Sequence, residues 1–115
     1  DYEILMDGIN NTPLGYVPDA GHIAHGGMDP LKIIKRYHEK IKHVHFKDMD
    51  CGGHWKTMGK GEIDFPGIVN YLAEIAYSGW IMVEEESKEA RVNPDKAAFD
   101  NGKYIQKLKD HYEMN

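Results

Sequence analysis

Three residues of this sequence, Asp19, His45 and Glu84, combine metal-ligand chemistry with telling positions. Asp19 closes LGYVPD, His45 lies within IKHVHFKD, and Glu84 follows WIMV. Two carboxylates and an imidazole are the oxygen and neutral nitrogen donors that suit manganese, cobalt, magnesium or zinc in a site left partly open to substrate. A buried carboxylate is costly without a counter-charge, and a divalent ion supplies one. Each residue alone has a plainer explanation. Asp19 can open an Asx turn, His45 can be a hydrogen-bonded core histidine, and Glu84 can belong to a solvated acidic run. The three together favour an ion.

Alternation along IKHVHFKD assigns its side chains to faces. His43, His45 and Lys47 point one way, and Val44, Phe46 and Asp48 the other. His45 is then the expected ligand and His43 a packed or orienting histidine one layer deeper, with Lys47 on the same face. His22 follows Asp19 by three residues and can turn back toward the ion or its substrate. His25, in the same segment, is expected at the surface. His54 and Trp55 sit in a long glycine-bearing loop, either a substrate lid or a solvated connection. Glu85 should point away from the site and Glu86 toward it.

The elements that must position these groups are readable in outline. Residues 1–9 look like the tail of a helix, followed by an extended run at 14–19 in which Pro18 cannot donate to a ladder. AGHIAHGG reads as a glycine-rich loop. Asp29 and Pro30 open a helix with Leu31, Ile33, Ile34, Tyr37 and Ile41 on its apolar face. HVHFKD is a second strand, and MDCGGHWKTMGKGEID a loop leading to a helix near Phe65. That helix presents Ile68, Val69, Leu72, Ile75 and Ala76. WIMVEEE is a third strand, followed by a polar loop to Pro94 and a helix from Asp95 to about Lys109 carrying Phe99, Tyr104, Ile105 and Leu108. Three βα units predict an α/β fold with parallel strands, doubly wound or barrel-type. Parallel strands align their C-terminal ends, so Asp19, His45 and Glu84 converge on the face where such folds build active sites. Separations of 26 and 39 residues between them suit barrel units of roughly 30 residues.

With 115 residues the chain makes one modest domain, and its net charge of -5 argues against a partner bound through phosphates. One cysteine, Cys51, leaves no internal disulfide. No apolar run has membrane-spanning length and no signal-peptide core is present, so a soluble cytoplasmic protein without membrane or nucleic-acid partners is expected.

PDAGHIAHGGMDPLKIIKRYHEKIKHVHFKD and GKGEIDFPGIVNYLAEIAYSGWIMVEEE resemble the C-terminal part of the xylose isomerase-like barrel proteins, the sugar phosphate isomerases and epimerases. Within them the chain is most similar to the inosose dehydratases. The resemblance implies that residues 1–115 are the C-terminal portion of a single TIM-barrel domain, about three βα units of a (β/α)8 barrel. It implies one divalent ion held by four strand-end ligands, of which Asp19, His45 and Glu84 match the last three and a glutamate upstream of Asp1 is the first. It implies that His22 approaches the substrate, a small sugar or polyol, and that Lys47 lies where relatives carry a substrate-facing polar residue. Glu84 is also implied as the acid/base in proton abstraction next to a carbonyl, with Lys47 or His54 assisting the leaving group. The sequence departs from the usual Asp-Thr-Gly-His at Ala20, and it lacks the Asp-Arg-His signature of related DNA-repair endonucleases, which argues against a nuclease. Three units cannot close a barrel, so an inactive fragment that self-associates or pairs with an N-terminal half is expected. The alternative is a non-catalytic sugar-binding or structural module on the same fold.

Overall fold

The structure, a computed structural model, describes residues 2–114. Its elements in chain order are α1 (Tyr2–Ile9), α2 (Ala20–His25), α3 (Pro30–Arg36), β1 (His43–Phe46), β2 (Asp48–Met49), β3 (Trp55–Lys56), α4 (Phe65–Glu74), β4 (Trp80–Val83), α5 (Lys88–Val92) and α6 (Pro94–His111). The expected first helix is present as α1, while Asp1 lies outside the described residues. β1 and β4 pair in parallel, with His43 level with Trp80 and His45 level with Met82. α4 forms the crossover between them. The architecture is α/β, built on a two-stranded parallel sheet, with no closed barrel among the described residues.

The extended run at 14–19 joins β1 only through isolated parallel bridges, Tyr16 to Ile41 and Asp19 to His45. Two residues lie between Tyr16 and Asp19 where three lie between Ile41 and His45, so the ladder slips by one. A bend at Lys42 absorbs the extra residue. Ile41 consequently packs toward the core although it shares parity with His43 and His45. Pro18 adds to the interruption because it has no amide to donate. Its carbonyl still accepts from the His45 amide at 2.8 Å.

Sequence expectation and structure part at several local points. AGHIAHGG is helical from Ala20 to His25, because Asp19 caps it by accepting from the His22 amide at 2.9 Å. The helix after Asp29 ends at Arg36 and tightens to a 3-10 turn at His38–Lys40, releasing Ile41 to extended backbone. The glycine-bearing loop contains a small antiparallel hairpin, β2 paired with β3. The polar loop before Pro94 contains α5, capped by Ser87.

One face of the β1–β4 sheet carries the core. Val44 and Phe46 pack with Ile34, Phe65, Ile68, Val69, Leu72 and Leu108, and the Phe46 and Phe65 rings lie 4.8 Å apart. Complete burial of such side chains contributes about 2 kcal/mol each. Within α6 the inward stripe is Ala97, Asn101, Tyr104 and Leu108, so Phe99 falls off it and is 65% exposed, contrary to expectation. Ala76 is likewise exposed, because the chain has already left α4 there with a φ of 53°. The opposite sheet face is open: His43 is exposed rather than packed, and Trp80 and Met82 are 72% and 50% exposed. No described helix is long and apolar enough to cross a membrane.

Candidate metal centre

The site is assembled by the parallel register. Asp19 bridges to His45 on one flank of β1, while the Glu84 amide, just past the end of β4, donates to the Phe46 carbonyl at 2.9 Å on the other. Asp19 also caps α2, whose first turn turns His22 back over the strand end. Ligand-capable atoms of Asp19, His22 and Glu84 consequently lie within 4.8 Å of one another. Two carboxylates and an imidazole so close together form a donor set that fits a divalent cation of the manganese, cobalt, magnesium or zinc type.

His45 enters this group through Glu84. Its Nδ1 lies 2.9 Å from Glu84 Oε1, a hydrogen bond that occupies one ring nitrogen and holds the carboxylate. His22, expected against the substrate, is therefore the imidazole gathered with the two carboxylates, and His45 stands beside them. Lys47 holds the other oxygen of Glu84, with Nζ 3.8 Å from Oε2, and donates to Glu86 Oε2 at 2.6 Å. The Lys47 side chain is only 2% exposed, so these acids compensate an amine that has left solvent. Glu86, held by the Lys47 hydrogen bond, has its pKa below the usual glutamate range. Glu85 points the other way, accepting from the Ser87 amide and from Asn101 Nδ2. Burial pushes its pKa up, but these hydrogen bonds outweigh burial and leave it lowered.

His54 is not brought to this cluster. It pairs with Asp50 inside the hairpin turn, Nδ1 to Oδ1 at 3.1 Å, and is 68% exposed. Its neighbour Trp55 does reach the site: the indole lies against His22, His25 and Lys47. His25, expected simply at the surface, is exposed but stacks on that ring. An open groove of about 1070 Å³ lies between β4 and α6, floored by Ile81, Val83 and Ile105 and lined also by Trp55 and Glu86.

Asp48 is the site-forming residue that sequence reasoning passed over. It is buried, and its carboxylate accepts from the amides of Met49, Gly59, Gly61 and Ile63, at 2.9 to 3.4 Å. A side chain at Gly61 would collide with that carboxylate, which accounts for the glycine in GKGE. A lone aspartate directly after a strand, ahead of a glycine-rich segment, was the available signal.

Comparison with known proteins bears on the family and the fold. The family model described as xylose isomerase-like TIM barrel matches residues 2–108. An inosose dehydratase of Clostridium tetani (strain Massachusetts / E88) is 35% identical over 120 aligned residues, covering 89% of this chain and 40% of that protein. A second, from Lacticaseibacillus casei, is 36% identical over 105, covering 76% and 35%. The chain thus spans less than half the length of these relatives. Among solved structures, a xylose isomerase domain protein from Planctomyces limnophilus superposes with a TM-score of 0.80 at 20% identity, over 97% of this chain and 43% of that one. An IOLI protein with a binding zinc atom superposes with a TM-score of 0.71 at 24% identity, over 96% and 42%. At those identities the structural likeness speaks for the fold. With the family model matching nearly from end to end, and with parallel strands delivering their polar termini to one face, the chain belongs to the xylose isomerase-like TIM-barrel family.

Proposed function

We propose that this chain carries the larger part of a divalent-metal site in an enzyme that abstracts a proton next to the carbonyl of a small sugar or polyol. The observation that carries this is the gathering of Asp19, His22 and Glu84 within 4.8 Å at the C-terminal ends of parallel strands. Asp19 and Glu84 supply oxygen ligands, His45 a nitrogen ligand, and His22 lies at the substrate side of the same cluster. A divalent ion bound there supplies positive charge beside the substrate carbonyl and its neighbouring hydroxyl, lowering the cost of an enediolate-like charge.

Glu84 is the base. Its carboxylate accepts the proton as the C–H electron pair moves toward the carbonyl oxygen. In a dehydration the pair then returns, forms a carbon–carbon double bond and expels the β-hydroxyl, which takes the proton held by Glu84 and leaves as water. In an epimerisation the carbon is instead reprotonated from its other face. His45 and Lys47 hold the two Glu84 oxygens at 2.9 and 3.8 Å, which fixes the direction in which that base points. The relatives named inosose dehydratase favour the dehydration and a cyclic polyol ketone as substrate. Residues 1–115 are, on the same proposal, the C-terminal portion of one barrel domain.

The test is metal uptake, measured by manganese titration with electron paramagnetic resonance. About one ion per chain is expected, lost in Asp19→Asn and Glu84→Gln, with His45→Gln weakened more than His22→Gln. Unchanged uptake in both carboxylate variants would overturn the site. Binding of an inosose by the metal-loaded protein without any turnover would favour a sugar-binding module instead.

A further inference from the structure

One aromatic residue touches His22, His25 and Lys47 beside the cluster and belongs to none of the strands that carry it. Trp55 comes from β3 of the hairpin. Its ring centroid lies 5.2 Å from that of His22 at 65° and 5.6 Å from that of His25 at 28°. Lys47 Nζ stands 4.1 Å from its centre. The approach depends on Gly21. A Cβ there would lie 2.6 Å from the Lys47 carbonyl oxygen, 2.8 Å from Lys47 Cβ and 3.0 Å from Trp55 Cζ3. The first turn of α2, the end of β1 and the hairpin therefore meet at one glycine.

These contacts have a direction. His22 is solvent-exposed on a helix of six residues, and an exposed imidazole there has rotamer freedom unless something restrains it. The indole supplies that restraint. It also offers its π face to the Lys47 ammonium, which in turn holds Glu86 at 2.6 Å and Glu84 at 3.8 Å.

We propose that Trp55 is a positioning residue for the centre, fixing the rotamer of His22 directly and the carboxylate of Glu84 through Lys47. This rests on the metal-site function proposed above, but the ordering of His22 stands apart from it. Substitutions behind metal-ligating groups typically cost about 10 to 100-fold in metal affinity, and Trp55→Leu, which removes the ring that backs Lys47 behind the ligand Glu84, should fall in that range. Trp55→Phe keeps a ring against His22 and should stay within about threefold of the parent, a rescue that a bulk-filling role alone would not demand.

Two measurements on the same variants test this. Side-chain scalar couplings of His22 by nuclear magnetic resonance, without metal, should report one χ1 rotamer in the parent and in Trp55→Phe, and an averaged value in Trp55→Leu. Manganese affinity should follow the same order. Circular dichroism identifies any variant that has lost the fold, and His25→Ala, which leaves the indole in place, should preserve the His22 rotamer. A single His22 rotamer in folded Trp55→Leu would overturn the proposal, as would Trp55→Phe behaving like Trp55→Leu. If the parent takes up no manganese, the metal site fails, and the couplings still decide whether Trp55 orders His22.

Discussion

At the scale of single residues, the polar groups divide into those that can do chemistry and those that hold them. Glu84 is gripped from both sides, by His45 Nδ1 on one oxygen and by Lys47 on the other, so its charge is preorganised rather than free to seek solvent. Asp48 performs the corresponding task for the backbone by collecting four amides. Asp48→Ala removes the acceptor for all four and should destabilise the protein by about 3 kcal/mol. Urea unfolding followed by circular dichroism would read this as a lower midpoint, and an unchanged midpoint would show that water replaces the carboxylate. Alternation and residue type placed Asp19, His45 and Glu84 at neighbouring strand ends and aimed Glu86 toward Lys47 and Glu85 away from it. The partners of Lys47 and Asp48 were not legible, because they lie 37 to 39 and 1 to 15 residues away and are set by tertiary contact.

At the scale of elements, the long apolar segments were legible and the short capped ones were not. α4 and β4 follow from strong apolar patterns. α2 and α5, of six and five residues, depend on Asp19 and Ser87 as caps, a signal that glycine or charge content outweighs in a linear reading. Two element ends make predictions. α4 is left through Ala76 in the left-handed region, where a Cβ is unfavourable. Ala76→Gly should therefore stabilise the protein by about 1 kcal/mol, seen as a higher thermal midpoint. The hairpin turn is organised by Asp50, which accepts from the amides of Gly52 and His54, both at 2.9 Å. The His54 amide bond chiefly holds the Asp50 pKa below the ordinary aspartate range. A depressed carboxylate stabilises the turn fully above its unfolded pKa of about 3.9 and loses that contribution as pH falls through the lower folded value. Amide exchange at Gly52 and His54, corrected for intrinsic rates, should thus show protection that is constant from pH 7 to 5 and falls only in stronger acid. Protection already falling between pH 7 and 5 would show that the Asp50 carboxylate does not hold the turn.

For the molecule as a whole, the parallel sheet has one packed face and one open face. Phe46 and Val44 complete a core with α4 and α6, while Trp80 and Met82 lie bare on the side that also holds His43. An apolar strand face of this kind, on a strand whose outer edge has no partner among the described residues, favours association. Sedimentation velocity should show a mass that rises with concentration in the micromolar range, and Trp80→Lys with Met82→Lys should shift the protein toward monomer. A single species at every concentration would show that the face tolerates water. The hairpin carries a consequence of another kind. Asp48 pins its stem, the chain's one cysteine, Cys51, stands exposed in its turn, and Trp55 is anchored against α2. A thiol-attached spin label therefore needs no engineered cysteine, and its distance to a manganese ion taken up at the proposed site would become a molecular ruler for the hairpin's motion in solution.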